Sequence, residues 1–399
     1  MQIVEEADAV VIGGGVAGTS TAYYLAKAGR RVIVVEKGLI AGEASGRNGG
    51  FTMQMGRAPR LMPLAQLAVK LWPTIEEETG HPTEWRRSGG LAVALNDYEW
   101  EIIQESLAPQ QAGGLECQIV DRATCLEMVP ALTNQVIGGF FVPGDGNANP
   151  VIAVKSIARG ARDRGAQFWE MTEAQGIVVQ GGQVVGVDTS RGRIRTPWVA
   201  LCGGPWSSFL GEWVGLNLPV IPTKIQIMIT EAVGPQFEPY LVGNHLYIRQ
   251  AMAGNIHFGG GGPPREEYAL AFDKASTEST LQRTARDMRD LLPKLADLHV
   301  LRSWAGVMES LGDGPIVGLA GTPRGVAVAC GFDGNGFGLG PGTGKVMSEL
   351  ILGEPPSADI SQLGIERYAA GYADVVFAKD GLVDICADQA IAYRPWRSF

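Results

Sequence analysis

Four glycines and one distant acid carry the most specific chemistry in this sequence. Gly13-Gly14-Gly15-Val16-Ala17-Gly18 follows an apolar run at 9–12, and Glu36 closes a second apolar run at 31–36. Gly13 allows a tight turn, Gly15 lets the backbone approach a pyrophosphate, and Gly18 lets a helix pack close to a strand. Free N–H groups at the start of that helix, around Val16 and Ala17, suit phosphate oxygens. Glu36 stands where a carboxylate accepts both hydroxyls of a ribose. Together they read as the seat of an adenine dinucleotide, because strand, helix and acid all accompany the glycines. No other constellation competes. The four histidines, at 81, 245, 257 and 299, lack metal-ligand spacing, so no metal is expected, and no Ser/His/Asp arrangement is visible.

These residues require a strand–turn–helix–strand unit. Residues 16–28 place Ala17, Thr21, Tyr24, Leu25 and Ala28 on one helical face, and Gly29 ends the helix. Helices are also expected over 61–79, with Pro73 as a possible kink point, over 97–112 capped by Asp97, over 151–165, over 277–292 and over 342–352. Strands are expected over 85–94, 136–142, 176–180, 184–189, 198–202, 224–230, 246–250, 255–259, 301–309, 315–317 and 326–330. The pattern divides the chain. Residues 1–84, 150–222 and 302–365 form a nucleotide-binding domain; 85–149 and 223–301 form an inserted, β-rich substrate domain; 366–399 form a tail. A seam between discontinuous pieces is a common ligand site.

Composition narrows the classes. The chain has 399 residues, 45% hydrophobic and 19% charged, so it is globular with room for two cores. A net charge of -9 without a basic run disfavours nucleic acid. No run of 18 apolar residues predicts a membrane span. Glu5, Glu6 and Asp8 do not suit a secretory signal. Cys117, Cys125, Cys202, Cys330 and Cys386 show no paired spacing, so reduced thiols and a cytoplasmic location are expected.

Five blocks together resemble flavoenzymes of the D-amino-acid oxidase type, over residues 7–368. They are the unit at 13–36; Ser45-Gly46-Arg47-Asn48-Gly49-Gly50; Asp145-Gly146-Asn147-Ala148-Asn149-Pro150; Cys202-Gly203-Gly204-Pro205-Trp206; and Trp304-Ala305-Gly306 with Gly336-Phe337-Gly338-Leu339-Gly340-Pro341. The family includes glycine oxidase, sarcosine oxidases, opine dehydrogenases and γ-glutamylputrescine oxidase. The resemblance implies an α/β fold, with a Rossmann-like, glutathione-reductase-like ββα domain for FAD beside the substrate domain. It also implies cofactor contacts from Gly13, Gly15, Val16, Ala17, Glu36, Lys37, Ser45, Arg47, Asn48, Gly49, Gly50, Cys202, Gly203, Trp206, Gly336, Phe337, Gly338 and Leu339. Gly338-Leu339-Gly340, before a helix beginning at Gly342, would offer donors where a reduced flavin gains negative charge. The family's covalent cysteine falls near Gly306, which cannot form a thioether, so FAD is expected to be non-covalent.

The implied reaction takes a hydride from a carbon beside an amine nitrogen to flavin N5, leaving an imine. The expected substrate is a secondary amine, D-amino acid or opine-like molecule. Orientation would carry most of the catalysis. Where glycine oxidase-like members place a carboxylate-binding arginine, this sequence has Met308. Either another cation binds the carboxylate, with Arg249 the first substitute, followed by Lys224 and Arg57, or the substrate lacks an α-carboxylate at that point. An exposed hairpin arginine is the plain alternative for Arg249. Tyr247 resembles a pocket tyrosine, although cross-strand packing fits it equally. His257 falls where sarcosine oxidase-like members carry an oxygen-activating lysine, which leans towards a dehydrogenase or slow oxidase; a satisfied strand histidine is the alternative. Met53, Gln54 and Met55 follow the loop that lies near the flavin in relatives. The electron acceptor is dioxygen or a partner protein, and a β-type subunit of a heteromeric dehydrogenase is the second reading, so homo- or hetero-oligomers both fit. Tyr372, Phe377, Tyr393, Trp396 and Phe399 of the tail could pack on the body, cover the site or meet a partner.

Overall fold

A computed structural model describes residues 1–260, 274–312 and 314–368. Its centre is a six-stranded sheet in the order Ile316–Leu319, Val326–Cys330, Val199–Leu201, Ala9–Ile12, Val32–Val35, Gln167–Trp169. All pairings are parallel except the edge strand Ile316–Leu319. The central strands are buried throughout, which explains their unbroken Val/Ile/Ala runs. One face, with Val11, Val34 and Ala200, packs on helices Val16–Lys27, Pro150–Arg162 and Gly336–Leu352. The other, with Val10, Ile33 and Leu201, packs on a small four-stranded sheet through Val184, Val187 and Ile194. This is the expected ββα layering. Asn149 caps Pro150–Arg162 by accepting the Ile152 N–H, and Pro150 takes the first helical position.

The helix Gly336–Leu352 starts six residues before the expected one at Gly342. Glycine is a poor helix former, by roughly 1 kcal/mol each against alanine, so local propensity points to a loop there. Packing decides otherwise. A Cβ on Gly340 would lie 2.2 Å from Val16 Cγ2, and one on Gly344 would lie 2.3 Å from Ser20 Cβ. On a second side, a Cβ on Gly342 would lie 3.0 Å from the Leu64 carbonyl oxygen. The glycines form the faces that meet Val16–Lys27 and Met62–Thr79. Helix Met62–Thr79 runs on through Pro73. The cap before Asp97 is Asn96, whose side chain accepts the Glu99 N–H at 2.9 Å; Asp97 is the first helical residue.

An eight-stranded sheet forms the second layer, in the order Val300–Ser310, Ile221–Ala232, Asn255–Gly259, Leu246–Gln250, Tyr240–Gly243, Gly90–Ala94, Gly138–Val142, Gln118–Asp121. The strand Val300–Ser310, which the boundary at 302 placed with the nucleotide-binding part, pairs along its length with Ile221–Ala232 in this sheet. One face, with Leu241, Ile248 and Phe258, packs on helix Glu278–Leu291 through Met288 and Leu291. The other, with Ala92, Phe140 and Tyr240, packs on Met53 and Met55. Tyr368, within the expected tail, is buried and donates its hydroxyl to the Gly314 carbonyl. Cys386 and residues 369–399 lie outside the described residues. Among those described, the other four cysteines are free and buried, no helix is long and apolar enough to cross a membrane, and no metal-binding group of side chains occurs.

The Gly344→Ala variant tests the helix seam. Alanine favours the helix locally, yet its methyl collides with Ser20. Urea unfolding is expected to show a net loss of about 1–3 kcal/mol.

Candidate active site

The turn at residues 13–18 is built by close contact between main chains. Gly13 has φ +117°, and a Cβ on it would lie 2.2 Å from the Cys202 carbonyl oxygen. A Cβ on Gly18 would lie 2.0 Å from the Gly13 carbonyl oxygen. Glu36 braces this turn, accepting the Gly14 and Gly38 N–H groups, each at 2.7 Å. Carboxylate oxygens have further lone pairs, which suit ribose hydroxyls. Ser45 Oγ accepts the Val16 N–H at 2.9 Å at the helix N-terminus. Lys37 lies 3.5 Å from the centroid of the Trp206 ring, and burial lowers its pKa.

A cavity of about 400 Å³ opens on this turn. Its wall includes Gly13, Gly15, Val16, Ala17, Glu36, Lys37, Ser45, Arg47, Asn48, Cys202, Gly203, Trp206, Gly336 and Phe337 of the expected cofactor set. Gly49, Gly50, Gly338 and Leu339 lie behind that wall. Leu339 is wholly buried, and the Gly338 carbonyl accepts the Trp72 indole N–H at 2.8 Å. Arg47 and Asn48 mainly shape their own loop. Arg47 donates to the carbonyls of Gly42 (2.9 Å) and Ala305 (3.2 Å), and its own carbonyl accepts the Trp304 indole N–H. Asn48 donates to Ala44 and Ser45 carbonyls and accepts the Gly50 N–H. The Cys202 thiol is pushed up to about 12 by burial.

The cavity continues to Ile225, Gly306, Met308 and Glu309, on two paired strands of the wide sheet. Strand parity sorts the expected substrate residues. Register pairs Tyr247 with Gly259 and Arg249 with His257, then His257 with Ile229, Ile225 with Gly306 and Thr223 with Met308. Tyr247, Arg249, His257, Gly306 and Met308 therefore share one face. Of these only Gly306 and Met308 are part of the cavity wall; Tyr247, Arg249 and His257 lie outside it, as does Lys224, which has the opposite parity and whose ammonium donates to the Ala275 carbonyl. Tyr247 packs on Phe51, with ring centroids 5.9 Å apart.

Arg249 is not an exposed hairpin residue. It is 3% exposed, and its Nε donates to the Gly49 carbonyl. Its pKa falls to about 10, chiefly by burial and then by Arg86, so it stays charged at neutral pH. Among the described residues no carboxylate forms an ion pair with it. His257 is held neutral: burial, then Arg249, lower its pKa to about 3. Its ring meets Trp304 edge-on at 6.0 Å, and its Nδ1 has no partner among the described residues.

Gln54 and Arg57 stand away from the cavity wall. Gln54 is tied to Asp145, which is buried beneath the chain after the 45–50 loop. Asp145 accepts Gln54 N–H (2.8 Å), Gln54 Nε2 (3.2 Å), Met55 N–H (3.1 Å) and the Tyr240 hydroxyl (2.5 Å). Burial raises its pKa against these bonds. Arg57 donates to the Met53 carbonyl and to Asn335 at the start of the glycine helix. Sequence reasoning missed Glu309, Phe332 and Gly334 in the cavity wall. The available signal was Glu309 itself, an acid at the end of an otherwise mostly apolar strand.

Residues 8–350 match the family described as FAD dependent oxidoreductase, and the chain belongs to it. It is an FAD-dependent enzyme, and the glycine turn, Glu36 and the helix N-termini at the cavity fit that cofactor. The sarcosine oxidase subunit beta of Rhodobacter capsulatus is 28% identical over 376 residues, 91% of this chain and 89% of that protein. The glycine oxidase of Geobacillus kaustophilus is 26% identical over 90% of this chain and 97% of its own. Its crystal structure aligns with a TM-score of 0.84, covering 91% and 99% of the two chains. The L-proline dehydrogenase of P. horikoshii aligns at 0.86, with 27% identity, covering 92% and 99%.

Replacing Asp145 with Asn tests the support beneath the loop. An amide group would face N–H donors where an acceptor is needed. Denaturant unfolding is expected to show a loss of about 1–3 kcal/mol, with weaker retention of flavin measured by absorbance.

Proposed function

We propose that this enzyme oxidises the carbon–nitrogen bond of a small amine or amino acid bearing a carboxylate, using non-covalent FAD. The observation that carries the reading is Arg249. It is a buried guanidinium, docked on the Gly49 carbonyl, with no carboxylate ion pair among the described residues and Glu84 acting on it only at longer range. A substrate carboxylate would complete its charge and use its fork of donors. When bound, FAD supplies the two-electron acceptor. The protein holds the substrate, excludes water with Trp304, Tyr247 and Phe51, and aims the reacting carbon. The neutral imidazole of His257 accepts a hydrogen bond from the substrate amine rather than adding charge. The division into cofactor-binding pieces (1–84, 150–222, 302–365), substrate pieces (85–149, 223–301) and tail (366–399) is kept, with the strand at 300–310 shared across the seam. Gly306, against Arg47 at 3.0 Å from a built Cβ, offers neither sulfur nor space for a covalent link.

A neutral His257 gives dioxygen no fixed positive charge, so a dehydrogenase passing electrons elsewhere is favoured over a fast oxidase. The likeness to a sarcosine oxidase β subunit across 91% of the chain supports the second reading, a subunit working with an electron-accepting partner in a hetero-oligomer. The free buried thiols fit the cytoplasm.

Two measurements test these statements. Arg249→Met is expected to raise KM for a carboxylate-bearing substrate at least about tenfold, since a charged hydrogen bond contributes about 1.5–3 kcal/mol. An unchanged KM removes Arg249 from the site. Stopped-flow mixing of reduced protein with air should give slow reoxidation, while an artificial dye restores turnover; fast reoxidation would mean an oxidase.

A further inference from the structure

Glu309 has no part in the chemistry above, yet it forms part of the cavity wall, beside Met308 near the end of Val300–Ser310. It is 9% exposed. Its Oε2 lies 3.5 Å from where a Cβ on Gly204 would stand, so the carboxyl faces the turn after Val199–Leu201. The backbone N–H groups of Phe332 and of Glu309 itself lie near its carboxyl and favour the ionised form. Among the described residues it forms no ion pair with lysine, arginine or histidine.

The surroundings add no compensating charge. Asp333, after strand Val326–Cys330, opposes ionisation of Glu309; its carboxyl is engaged by Ser310, Leu311, Gly312 and Gly314. Strand Val326–Cys330 brings the thiol of Cys330, and the end of Val199–Leu201 brings that of Cys202; both are pushed up by burial. Ser207, from the following helix, is buried beside them and carries no charge. Pro222, opposite Glu309 on Ile221–Ala232, has no charge. Burial first, then Asp333, raises the Glu309 pKa to about 7.

We propose that Glu309 is the proton site linked to electron uptake in this cavity, changing from carboxylate to carboxylic acid when the bound cofactor is reduced. This rests on FAD occupying the cavity. Electrons come from the substrate being oxidised and the proton from solvent; the one bond formed at Glu309 is O–H. Negative charge added to a water-poor cavity repels a carboxylate and favours the acid. Linkage makes this reciprocal: an ionised Glu309 makes electron uptake harder. At low pH Glu309 is neutral in both redox states, and no linkage remains.

The test is the midpoint potential of the bound flavin, measured from about pH 5 to about pH 9 in wild type and Glu309→Gln holoprotein. Near pH 5 the two should agree. Above about pH 7 the wild type should fall below the variant, with a steeper slope through the transition. Parallel curves, or a constant offset, would overturn the proposal. If the variant does not retain flavin, reduced-minus-oxidised infrared spectra of the wild type at about pH 8 decide. A deuterium-sensitive protonated-carboxyl band should grow on reduction; its absence would overturn the proposal. Protein purified without flavin would overturn the cofactor assignment and this inference with it.

Discussion

Main-chain contact closer than any side chain allows is the constraint on which this structure rests. Gly13 stands against the Cys202 carbonyl, Gly18 against the Gly13 carbonyl, and Gly50 against the Ala148 carbonyl. The same device joins the first helix to the last, where Gly340 and Gly344 meet Val16 and Ser20. Each glycine gives up roughly 0.5–1 kcal/mol of backbone entropy relative to alanine. In return the first and last stretches of the nucleotide-binding part meet at the cavity, and much of its wall is backbone. Such a wall presents N–H groups and helix ends at fixed positions, which is what a phosphate-bearing cofactor needs.

The buried ionisable groups beside the site meet desolvation in different ways. Asp145 gathers four donors and ties together the 54–55 segment and Tyr240. Glu309 has two backbone N–H groups near its carboxyl and an acidic neighbour, so it favours the proton. His257 gives up its charge to burial first and to the neighbouring Arg249 second. Arg249 retains a charge that burial penalises, with a single backbone carbonyl engaged. A cation held in this way is poised for an anion, whereas Asp145 is already satisfied and reads as structure.

Much of this was legible before any coordinates. The Gly13–Glu36 unit, the cap at Asn149 and the alternating strands at 246–250 and 255–259 depend on local chemistry, and local chemistry is written in sequence. The start of the glycine helix was not, because its reason lies in Val16, Ser20 and Leu64, hundreds of residues away. Lys224 illustrates a second limit: its distance along the chain says nothing of parity, and its pairing with Val307 puts it on the face opposite Arg249, where its ammonium meets the Ala275 carbonyl. Glu309 needed the Gly204 turn and Asp333 to be placed around it before its acid became notable.

Arg249 is not the missing arginine of Met308 moved to a neighbouring place. In sheet order the two lie three strands apart, roughly 14 Å at the usual strand spacing, and in register they are offset by the six residues from Ile229 to Thr223, roughly a further 20 Å along the strand. The 45–50 loop joins them: Arg47 is bound to Trp304 and Ala305 on one strand, while Gly49 receives Arg249 from another. On the proposed reading the substrate's acid is therefore held at the Gly49 end. The Met308 end is left to Met308 and Ile225, an apolar wall. A small amine does not span that separation, so on the proposed reading Met308 borders the cofactor cavity while Arg249 holds the acid. On that reading the change from arginine to methionine leaves an apolar wall at position 308 and moves charge binding to another strand of the sheet.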